Sequence, residues 1–393
     1  MTKKRRNLFC ARILCASILF SLAAPVSAEE TASAVSVEAP EYVLMEPETG
    51  TVILEKDKDV PRSPASVTKV MTLLLIFEEI EKGNLKLDDT VTTSAHAKSM
   101  GGSQVFLEEG ETQTVETMIK CIVIASGNDA SVAMAEHIAG SEAEFVNAMN
   151  KKAQALGMKN THFVDCCGLT DSDDHYTTAY DIALMSRELI RKYPEILNYS
   201  SVWMDTITHN TRQGSKEFGL SNTNRLIRTY EGCVGLKTGS TSKAKFCVSA
   251  VAKRKGITLI AVVMAAPDSR TRVKDASMLF DYGFAKCSLY TDENPGKLPD
   301  LKVIKGIKEK TTLTFGKTFR CLSTDGTTFD KIKKKLILPN EVKAPVKKGQ
   351  KAGELVYYQE NRELGRIPVI YAENVKKAGY LDRLKQTAEE FCL

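Results

Sequence analysis

Pro64-Ala-Ser-Val-Thr-Lys-Val-Met-Thr72 places a serine and a lysine three residues apart, as Ser66 and Lys69. The apolar residues from Ser66 to Lys82 recur at helical spacing and Gly83 follows them, which predicts a helix that begins at the serine. Side chains three apart share one face of a helix, so the lysine amine can reach the serine hydroxyl. A serine nucleophile needs an adjacent base. A lysine serves as that base only when burial or a nearby cation lowers its pKa from the usual value of about 10.4.

Two further short motifs carry polar side chains suited to the same chemistry. Ser126-Gly127-Asn128 lies between helices predicted at 114–125 and 129–139, where its hydroxyl can relay a proton and its amide can hold a substrate carbonyl. Lys237-Thr238-Gly239 ends a predicted edge strand, where the cation can bind a substrate carboxylate and depress the pKa of Lys69. The threonine hydroxyl can bond the same carboxylate, and the glycine lets a ligand approach the backbone closely. Each motif alone fits a capped helix, a turn or an ordinary strand end equally well. Together and in this order, they favour one catalytic site.

The predicted elements indicate an α+β fold, in which an antiparallel sheet carries a helical block. Two strands surround a Pro47–Gly50 turn, and the strands expected after residue 200 belong to the same sheet, which would bring Ser66 and Lys237 together. The predicted strands are Tyr42–Glu46, Thr51–Lys56, Val234–Thr238, Phe246–Ala252 and Ile257–Ala265. Besides the helices already given, we predict one opened by the capping box Ser141–Glu144, one at Thr178–Lys192 and one at Arg272–Ala285.

The three motifs together resemble those of the low-molecular-mass penicillin-binding proteins, the serine-type D-alanyl-D-alanine carboxypeptidases of peptidase family S11. Gly127 stands in the second motif where β-lactamases have aspartate, which is this family's form. The segments Asn222-Thr-Asn-Arg-Leu226 and Asp281-Tyr-Gly-Phe284 are also similar. The resemblance covers roughly residues 40–375. It implies a penicillin-binding/serine β-lactamase-like transpeptidase domain followed by a small all-β domain.

The resemblance also implies an activity that needs no metal or other cofactor. Ser66 would attack the carbonyl of the penultimate D-alanine in a peptidoglycan stem peptide, with Lys69 as base, while Ser126 helps to pass the proton to the departing D-alanine. Water would then hydrolyse the acyl-enzyme. β-Lactams would form slowly hydrolysed esters at Ser66 and so act as inhibitors.

The same resemblance assigns residues to the binding of the substrate. Backbone N–H groups of Ser66 and Ser240 would form the oxyanion hole, and an arginine would help to hold the terminal carboxylate. Arg272 matches the position of the family arginine, although Arg270 is close enough to compete. The complete predicted set for substrate binding is Asn128, Lys237, Thr238, Gly239, Ser240 and Arg272.

Two segments depart from the family's pattern. The family continues its third motif as K-T-G-x-T-x-x-A-G, whereas Lys245 follows Ala244 in this chain. Asp165-Cys166-Cys167-Gly168 stands where relatives often have Asn-Pro-x-Gly. Both departures concern the geometry of a loop rather than a reacting side chain. The following Asp171–His175 segment is predicted to be an exposed acidic loop.

The formal charge of +5 comes from the first 28 residues, which carry five basic side chains and no acidic one. Their apolar stretch from Ile13 to Ala24 and the small residues Val26-Ser27-Ala28 predict a secretory signal peptide that is cleaved after Ala28. The mature chain is therefore expected at the outer face of the bacterial membrane, in the wall, or secreted. Its residues 29–287 carry a net charge of −7 and residues 288–393 one of +7.

The predicted organisation has six parts. A C-terminal helix would place Tyr380, Leu384, Ala388 and Phe391 on one face, which fits either association with a membrane surface or a plain terminal helix. The parts are a signal peptide at 1–28, a flexible segment at 29–40, the catalytic domain at 41–287, a linker at 288–300, a β domain at 301–375 and the amphipathic helix at 376–393.

Other functional classes have weaker support. The chain has no CxxC or H-E-x-x-H motif, so we predict no metal site and mostly free, buried cysteines. The basic runs Lys331–Lys335 and Lys347–Lys351 are expected to face solvent rather than nucleic acid. Two alternatives to the carboxypeptidase remain, a β-lactamase and a catalytically silent scaffold that binds the wall.

Overall fold

The computed structural model describes residues 35–211 and 214–391, and from Val37 onward the chain forms one compact unit. The predicted signal peptide at 1–28 lies outside the described residues and stays a prediction. Within the part described, no helix is both long enough and apolar enough to cross a membrane. Seven cysteines are described, all free and all but Cys321 buried, as predicted; Cys392 lies outside the description.

A five-stranded antiparallel sheet forms the centre of the fold. Its strands are β1 (Glu41–Glu46), β2 (Thr51–Lys56), β7 (Cys233–Thr241), β8 (Lys245–Arg254) and β9 (Ile257–Ala266). The strand order is β2-β1-β9-β8-β7, so the early and late strands share one sheet, as predicted, and β7 lies at an edge.

The sheet is buried on both faces because β8 and β9 are almost continuously apolar. Successive side chains of a strand point to opposite faces, and β9 shows this directly. Ile260 and Val262 pack with the helical block, while Leu259 and Ala261 pack with Leu279 of a helix on the other face. Burial of these apolar side chains stabilises the packing of the sheet against the helices. The edge strand β7 is therefore fixed in position beside the helical block.

The helical block contains seven helices within the described residues, and four of them begin at a hydroxyl side chain that accepts a backbone N–H. Ser141 caps its helix as predicted, by accepting from the N–H of Glu144. The block comprises α1 (Lys69–Glu81), α2 (Ala95–Lys98), α3 (Val115–Val123), α4 (Asn128–Ala139), α5 (Glu142–Ala155), α6 (Ala179–Lys192) and α7 (Ile196–Ser200). The short α8 (Leu226–Thr229) and the long α9 (Ser269–Lys286) follow, and α9 begins three residues before its predicted start.

Two further antiparallel pairs of strands were not predicted. The strand β3 (Thr90–Thr92) pairs with β4 (Thr112–Thr114), which follows α2 in the chain, and β5 (Met204–Thr211) forms a hairpin with β6 (Gly214–Ser221). This hairpin is polar and mostly exposed, so it lacks the apolar alternation by which a strand is recognised in a sequence.

The C-terminal region is all-β, as the resemblance implies. Its strands are β11 (Leu301–Ile304), β12 (Lys310–Thr311), β13 (Leu313–Phe315), β14 (Arg320–Ser323), β15 (Ile332–Ile337), β16 (Glu341–Lys343), β17 (Lys351–Gln359) and β18 (Arg362–Tyr371). The main sheet has the order β13-β18-β17-β15, and a smaller one has the order β12-β11-β16. The helix α10 (Tyr380–Phe391) follows them.

Two predicted segments need correction. The linker at 288–300 begins too early, because β10 (Ser288–Thr291) pairs with β14 of the β domain. The flexible segment at 29–40 ends too late, because the carboxylate of Asp275 accepts the backbone N–H groups of Glu38 and Ala39. Ala39 is fully buried, so this part of the chain is fixed to α9.

Candidate active site

Ser66 lies in a 3₁₀ turn, Ala65–Thr68, that leads directly into α1. Its side chain is partly exposed, whereas Lys69 is fully buried. Lys69 Nζ lies 2.9 Å from Ser66 Oγ, 2.6 Å from Asn128 Oδ1 and 2.8 Å from the carbonyl oxygen of Cys167. The predicted nucleophile and base are thus within hydrogen-bond distance, and the first and second motifs meet at the lysine.

Burial lowers the pKa of Lys69, although nearby acidic groups oppose the shift. Two of its three partners are carbonyl oxygens, which can only accept hydrogen bonds. A neutral amine would donate its two N–H bonds to these oxygens and would direct its lone pair at the Ser66 hydroxyl. The contacts therefore suit a lysine that removes the proton of Ser66.

The carbonyl of Cys167 belongs to one of the segments that depart from the family's pattern. The carboxylate of Asp165 accepts backbone N–H groups from Cys167 at 2.8 Å, from Thr170 at 2.9 Å and from Gly168. Although burial favours the neutral acid, His175 and these amides hold the pKa of Asp165 below its usual value. The ionised side chain fixes the turn that presents the Cys167 carbonyl to Lys69.

Gly168 in the same turn leaves no room for a side chain. Its φ is +75°, and a Cβ there would lie 1.9 Å from the carbonyl oxygen of Ala65. The turn therefore presses directly against the backbone that precedes Ser66. Sequence reasoning missed this role, although a glycine three residues after an aspartate is a recognisable turn signal.

His175 supports the turn from its other side and is buried, contrary to the exposed loop that we predicted for it. Its Nδ1 accepts the N–H of Val164 at 3.2 Å, and its Nε2 lies 2.8 Å from Thr68 Oγ1. Burial lowers the pKa of His175, so the neutral ring donates from Nε2 to Thr68. The aspartates at 171, 173 and 174 are exposed, as predicted.

The second motif lies beside the buried lysine. Ser126 is 3% exposed and has φ +63°, a conformation that is rare for residues other than glycine and is enriched at functional sites. Asn128 donates from Nδ2 to the Gly101 carbonyl at 2.7 Å, and its contact with a substrate stays a prediction. The described residues include no hydrogen bond between Ser126 and Lys69 or Lys237, so the relay by Ser126 stays a prediction.

The third motif lies on the edge strand β7 of the sheet, as predicted, and its three residues are buried. Lys237 is buried and donates to the carbonyl of Thr238 at 3.0 Å, while the Thr238 hydroxyl donates to Thr223 Oγ1 at 2.7 Å. Burial, and then the charges of Lys69 and Arg272, lower the pKa of Lys237. An anionic substrate group would stabilise the charged form of this lysine.

Gly239 has a packing role that we did not predict. A Cβ there would lie 2.6 Å from the Pro64 carbonyl oxygen and 2.8 Å from Ser66 N, while the approach of a ligand to its backbone stays a prediction. The glycine therefore lets β7 approach the turn that carries Ser66. The next residue, Ser240, is exposed.

Arg272 is buried behind the third motif rather than exposed to solvent. Its Nη1 donates to the carbonyls of Gly239 at 3.3 Å and Cys247 at 3.2 Å. Arg270 on the same helix is exposed. Arg272 therefore fixes β7 and β8 in position, and direct contact with a substrate carboxylate remains a prediction for either arginine.

A serine beside a buried lysine, two supporting motifs and this sheet are typical of the serine acyl-transfer enzymes of the penicillin-binding and β-lactamase-like class. Residues 28–268 match the family model described as "D-alanyl-D-alanine carboxypeptidase", and residues 292–377 match the "Penicillin-binding protein 5, C-terminal domain". The chain belongs to the S11 peptidase family of D-alanyl-D-alanine carboxypeptidases and carries that C-terminal domain.

Relatives over most of the chain carry the same name. D-alanyl-D-alanine carboxypeptidase DacF of Bacillus subtilis is 44% identical over 351 residues, which is 89% of either chain. D-alanyl-D-alanine carboxypeptidase DacA of Escherichia coli is 30% identical over 355 residues. The alignment covers 88% of this chain and 86% of the relative. These relatives confirm the predicted family and activity.

Solved structures confirm the predicted fold class. Penicillin-binding protein 5 of Haemophilus influenzae superposes with a TM-score of 0.65 at 28% identity, over 87% of this chain and 98% of its own. A mutant of the Streptomyces K15 DD-transpeptidase superposes with a TM-score of 0.60 at 29% identity, over 64% of this chain and 99% of its own.

Proposed function

We propose that this carboxypeptidase removes the terminal D-alanine from peptidoglycan stem pentapeptides through an acyl-enzyme at Ser66. The observation that carries the proposal is the position of Lys69, whose amine is 2.9 Å from Ser66 Oγ and whose other partners among the described residues are carbonyl oxygens. A base at this distance from a hydroxyl is the arrangement that nucleophilic catalysis needs.

The residues suggest the following sequence of steps. Lys69 takes the proton of Ser66 as its oxygen attacks the carbonyl of the penultimate D-alanine. The N–H groups of Ser66 and Ser240 stabilise the resulting oxyanion, and one such donor is typically worth about 3 kcal/mol of barrier. Ser126 passes a proton to the nitrogen of the departing D-alanine, and water then hydrolyses the ester.

Recognition of the free carboxylate would depend on the third motif. Lys237 supplies the charge and Thr238 a hydroxyl, while the backbone at Gly239 and the amide of Asn128 contact the peptide. Arg272 supports this edge strand from behind through the carbonyl of Gly239. A β-lactam carries a carboxylate and an acyl centre in a similar relation, so it would acylate the same serine.

Release of D-alanine from diacetyl-L-Lys-D-Ala-D-Ala by the purified chain tests the function. Each turnover should yield one equivalent of D-alanine. One molecule of benzylpenicillin bound per enzyme molecule should stop this release. The β-lactamase alternative requires rapid turnover of benzylpenicillin and no release from the peptide. The silent-scaffold alternative requires neither release nor acylation.

We also propose that residues 1–28 direct export and are then removed. Support comes from the sequence alone, through the basic start, the short apolar stretch and the small residues up to Ala28. Mass spectrometry of the protein recovered outside the cytoplasm should give a mature chain that begins at Glu29. Recovery of an intact N-terminus would contradict cleavage. Replacing Ala28 by arginine should block processing, while Glu30→Gln serves as the matched control.

Association of α10 with an anionic membrane surface is a further proposal. Tyr380 is 81% exposed, Leu381 79% and Leu384 52%, so the helix presents apolar side chains to solvent. Gln386 Nε2 donates to the Gly306 carbonyl at 3.1 Å, and the neighbouring Ile307 is 43% exposed as well. The apolar groups thus extend from the helix onto the β domain.

Basic residues flank these apolar groups, which favours anionic lipids. Ala378 N–H donates to the Lys305 carbonyl, and Gly306 pairs with Lys377, so both lysines lie at the base of the helix. Electrostatic attraction adds about 1 kcal/mol to the free energy of membrane binding for each lysine near an anionic surface.

Sedimentation with phosphatidylglycerol vesicles tests this surface. The full chain should sediment with anionic vesicles, less so in high salt, and hardly with phosphatidylcholine vesicles. Leu381→Asp with Leu384→Asp should weaken binding at least about tenfold, because each charge must leave water at the interface. Ile337→Asp, at a similarly exposed isoleucine of β15, is the control and should bind normally. Equal sedimentation of all variants would disprove the role of α10.

A further inference from the structure

A polar cavity of about 360 Å³ opens where the chain approaches the turn that carries Ser66. This volume is at the lower end of the range found for small-molecule sites. Among the described residues that line the cavity, none belongs to the three catalytic motifs. We call it the Arg62 cavity, and the lining residues that matter here are Arg62, Ser63, Lys159, Asp173, His175 and Lys243.

Ser63 contributes a buried hydroxyl to the wall of the Arg62 cavity. The residue is only 6% exposed, and its hydroxyl has no hydrogen-bond partner among the described residues. Buried hydroxyls in proteins are nearly always hydrogen-bonded, so an unpaired one indicates a partner that the chain itself does not supply. The cavity beside Ser63 offers the space for such a partner.

Basic side chains outnumber acidic ones around this cavity. Arg62, Lys159 and Lys243 line it, and Asp173 is the carboxylate found beside them among the described lining residues. Lys243 Nζ lies 2.6 Å from Asp173 Oδ1, and Arg62 Nε lies 2.7 Å from Glu41 Oε1. No ion pair of Lys159 is found in the part of the chain that the structure describes. One positive charge at the cavity therefore remains uncompensated.

The polar groups that remain available in the cavity are mostly hydrogen-bond donors. A guanidinium group has five N–H donors, and the hydrogen bond found for that of Arg62 uses the one on Nε. The ammonium group of Lys159 can likewise only donate. A ligand must therefore supply several acceptor oxygens together with negative charge. A phosphate group meets both needs, and the fork of an arginine matches its geometry.

The wall of the cavity is already held in place by hydrogen bonds. Arg62 and Thr177 exchange two backbone hydrogen bonds, of 2.8 and 2.9 Å. Lys243 Nζ also donates to the carbonyl of Asp171 at 2.9 Å, which fixes the turn after β7 against the loop that precedes His175. A wall that is ordered in advance loses little entropy when a ligand binds.

We propose that the Arg62 cavity binds a phosphate group, either as the free ion or as the ester of a small molecule. The buried hydroxyl of Ser63 donates to a phosphate oxygen, while Arg62 and Lys159 supply the charge. The bound group joins the segment that leads to Ser66 with the loop that carries His175. This inference does not depend on the proposed function, because the site contains no reacting group and its test needs no turnover.

Calorimetric titration with inorganic phosphate and with glycerol 3-phosphate, at constant ionic strength, tests the site. Ser63→Ala should weaken binding about tenfold, because a hydrogen bond to a charged group is lost. Lys159→Gln should weaken it about threefold, and Asp173→Asn should strengthen it about threefold, as expected for exposed charges. Lys151→Gln, at an exposed lysine of α5, is the matched control and should bind like the wild type.

Thermal unfolding of the same variants gives a second measurement, since a ligand of the folded chain raises its unfolding temperature. Tighter binding of glycerol 3-phosphate than of phosphate would assign the site to an ester, and the reverse order would assign it to the free ion. The proposal is overturned if neither compound binds or raises the unfolding temperature at millimolar concentration. Equal binding by the wild type, Ser63→Ala and Lys159→Gln would also overturn it, as would an equal affinity for acetate.

Discussion

We expect Ser66→Ala to release no D-alanine above the uncatalysed background and to carry no covalent label from a fluorescent penicillin. Alanine has no oxygen with which to form the ester, so both reactions stop at the same step. The fold should survive, because Ser66 is partly exposed and the hydrogen bond found for its hydroxyl among the described residues is the one with Lys69. A D-alanine assay, gel fluorescence and thermal unfolding measure the three expectations.

Ser63→Ala provides the control for Ser66→Ala. Ser63 lies three residues earlier and is buried, and no hydrogen-bond partner of its hydroxyl is present among the described residues. Its removal should leave peptide hydrolysis and labelling close to wild type. Labelling of Ser66→Ala, or D-alanine release by it at the wild-type rate, would assign the nucleophile to another residue.

Lys69→Met should slow acylation by about 10²- to 10⁴-fold, the usual contribution of a general base. Methionine keeps most of the volume of the buried side chain but cannot take the proton of Ser66. Stopped-flow or gel-based measurement of penicillin labelling gives the acylation rate directly. Lys82→Met, at the exposed end of the same helix, is the control and should acylate at the wild-type rate.

The pH dependence of stability gives a second readout for Lys69. Its pKa is lowered in the folded chain, so the unfolded chain binds more protons until the pH passes the ordinary lysine value of about 10.4. The free energy of unfolding of the wild type should therefore rise relative to that of Lys69→Met as the pH increases toward this value. Denaturant unfolding at several pH values measures the difference. A constant difference would show that Lys69 titrates as an ordinary exposed lysine.

Most of the central sheet could be predicted, because buried strands and amphipathic helices leave strong apolar patterns. The hairpin β5–β6 lacks such a pattern, and the start of the linker was wrong because β10 gains its partner only from β14. Similarly, nothing in the sequence shows that Asp275 holds the segment before β1. These errors concern pairings between distant residues whose local sequence is unremarkable.

In the active site, the side chains could be predicted better than the backbone. Ser66, Lys69 and Asn128 meet as expected, but the third partner of Lys69 is the carbonyl of Cys167, a group that every residue possesses. The crowding that requires glycine at 239 comes from the Pro64 carbonyl, which the sequence did not show. A hydrogen bond accepted by a backbone carbonyl cannot be predicted from the residue type, because every residue has that group.

Two glycines, Gly168 and Gly239, press on the backbone around Ser66 from different segments. Even a methyl group at either position would displace the nucleophile. The smallest substitution, glycine to alanine, is therefore already disruptive at both positions. A substitution at either glycine would therefore lower the activity as well as change the reaction with β-lactams. Heritable changes in drug response are therefore expected at more distant walls of the cleft, where side chains already reach solvent.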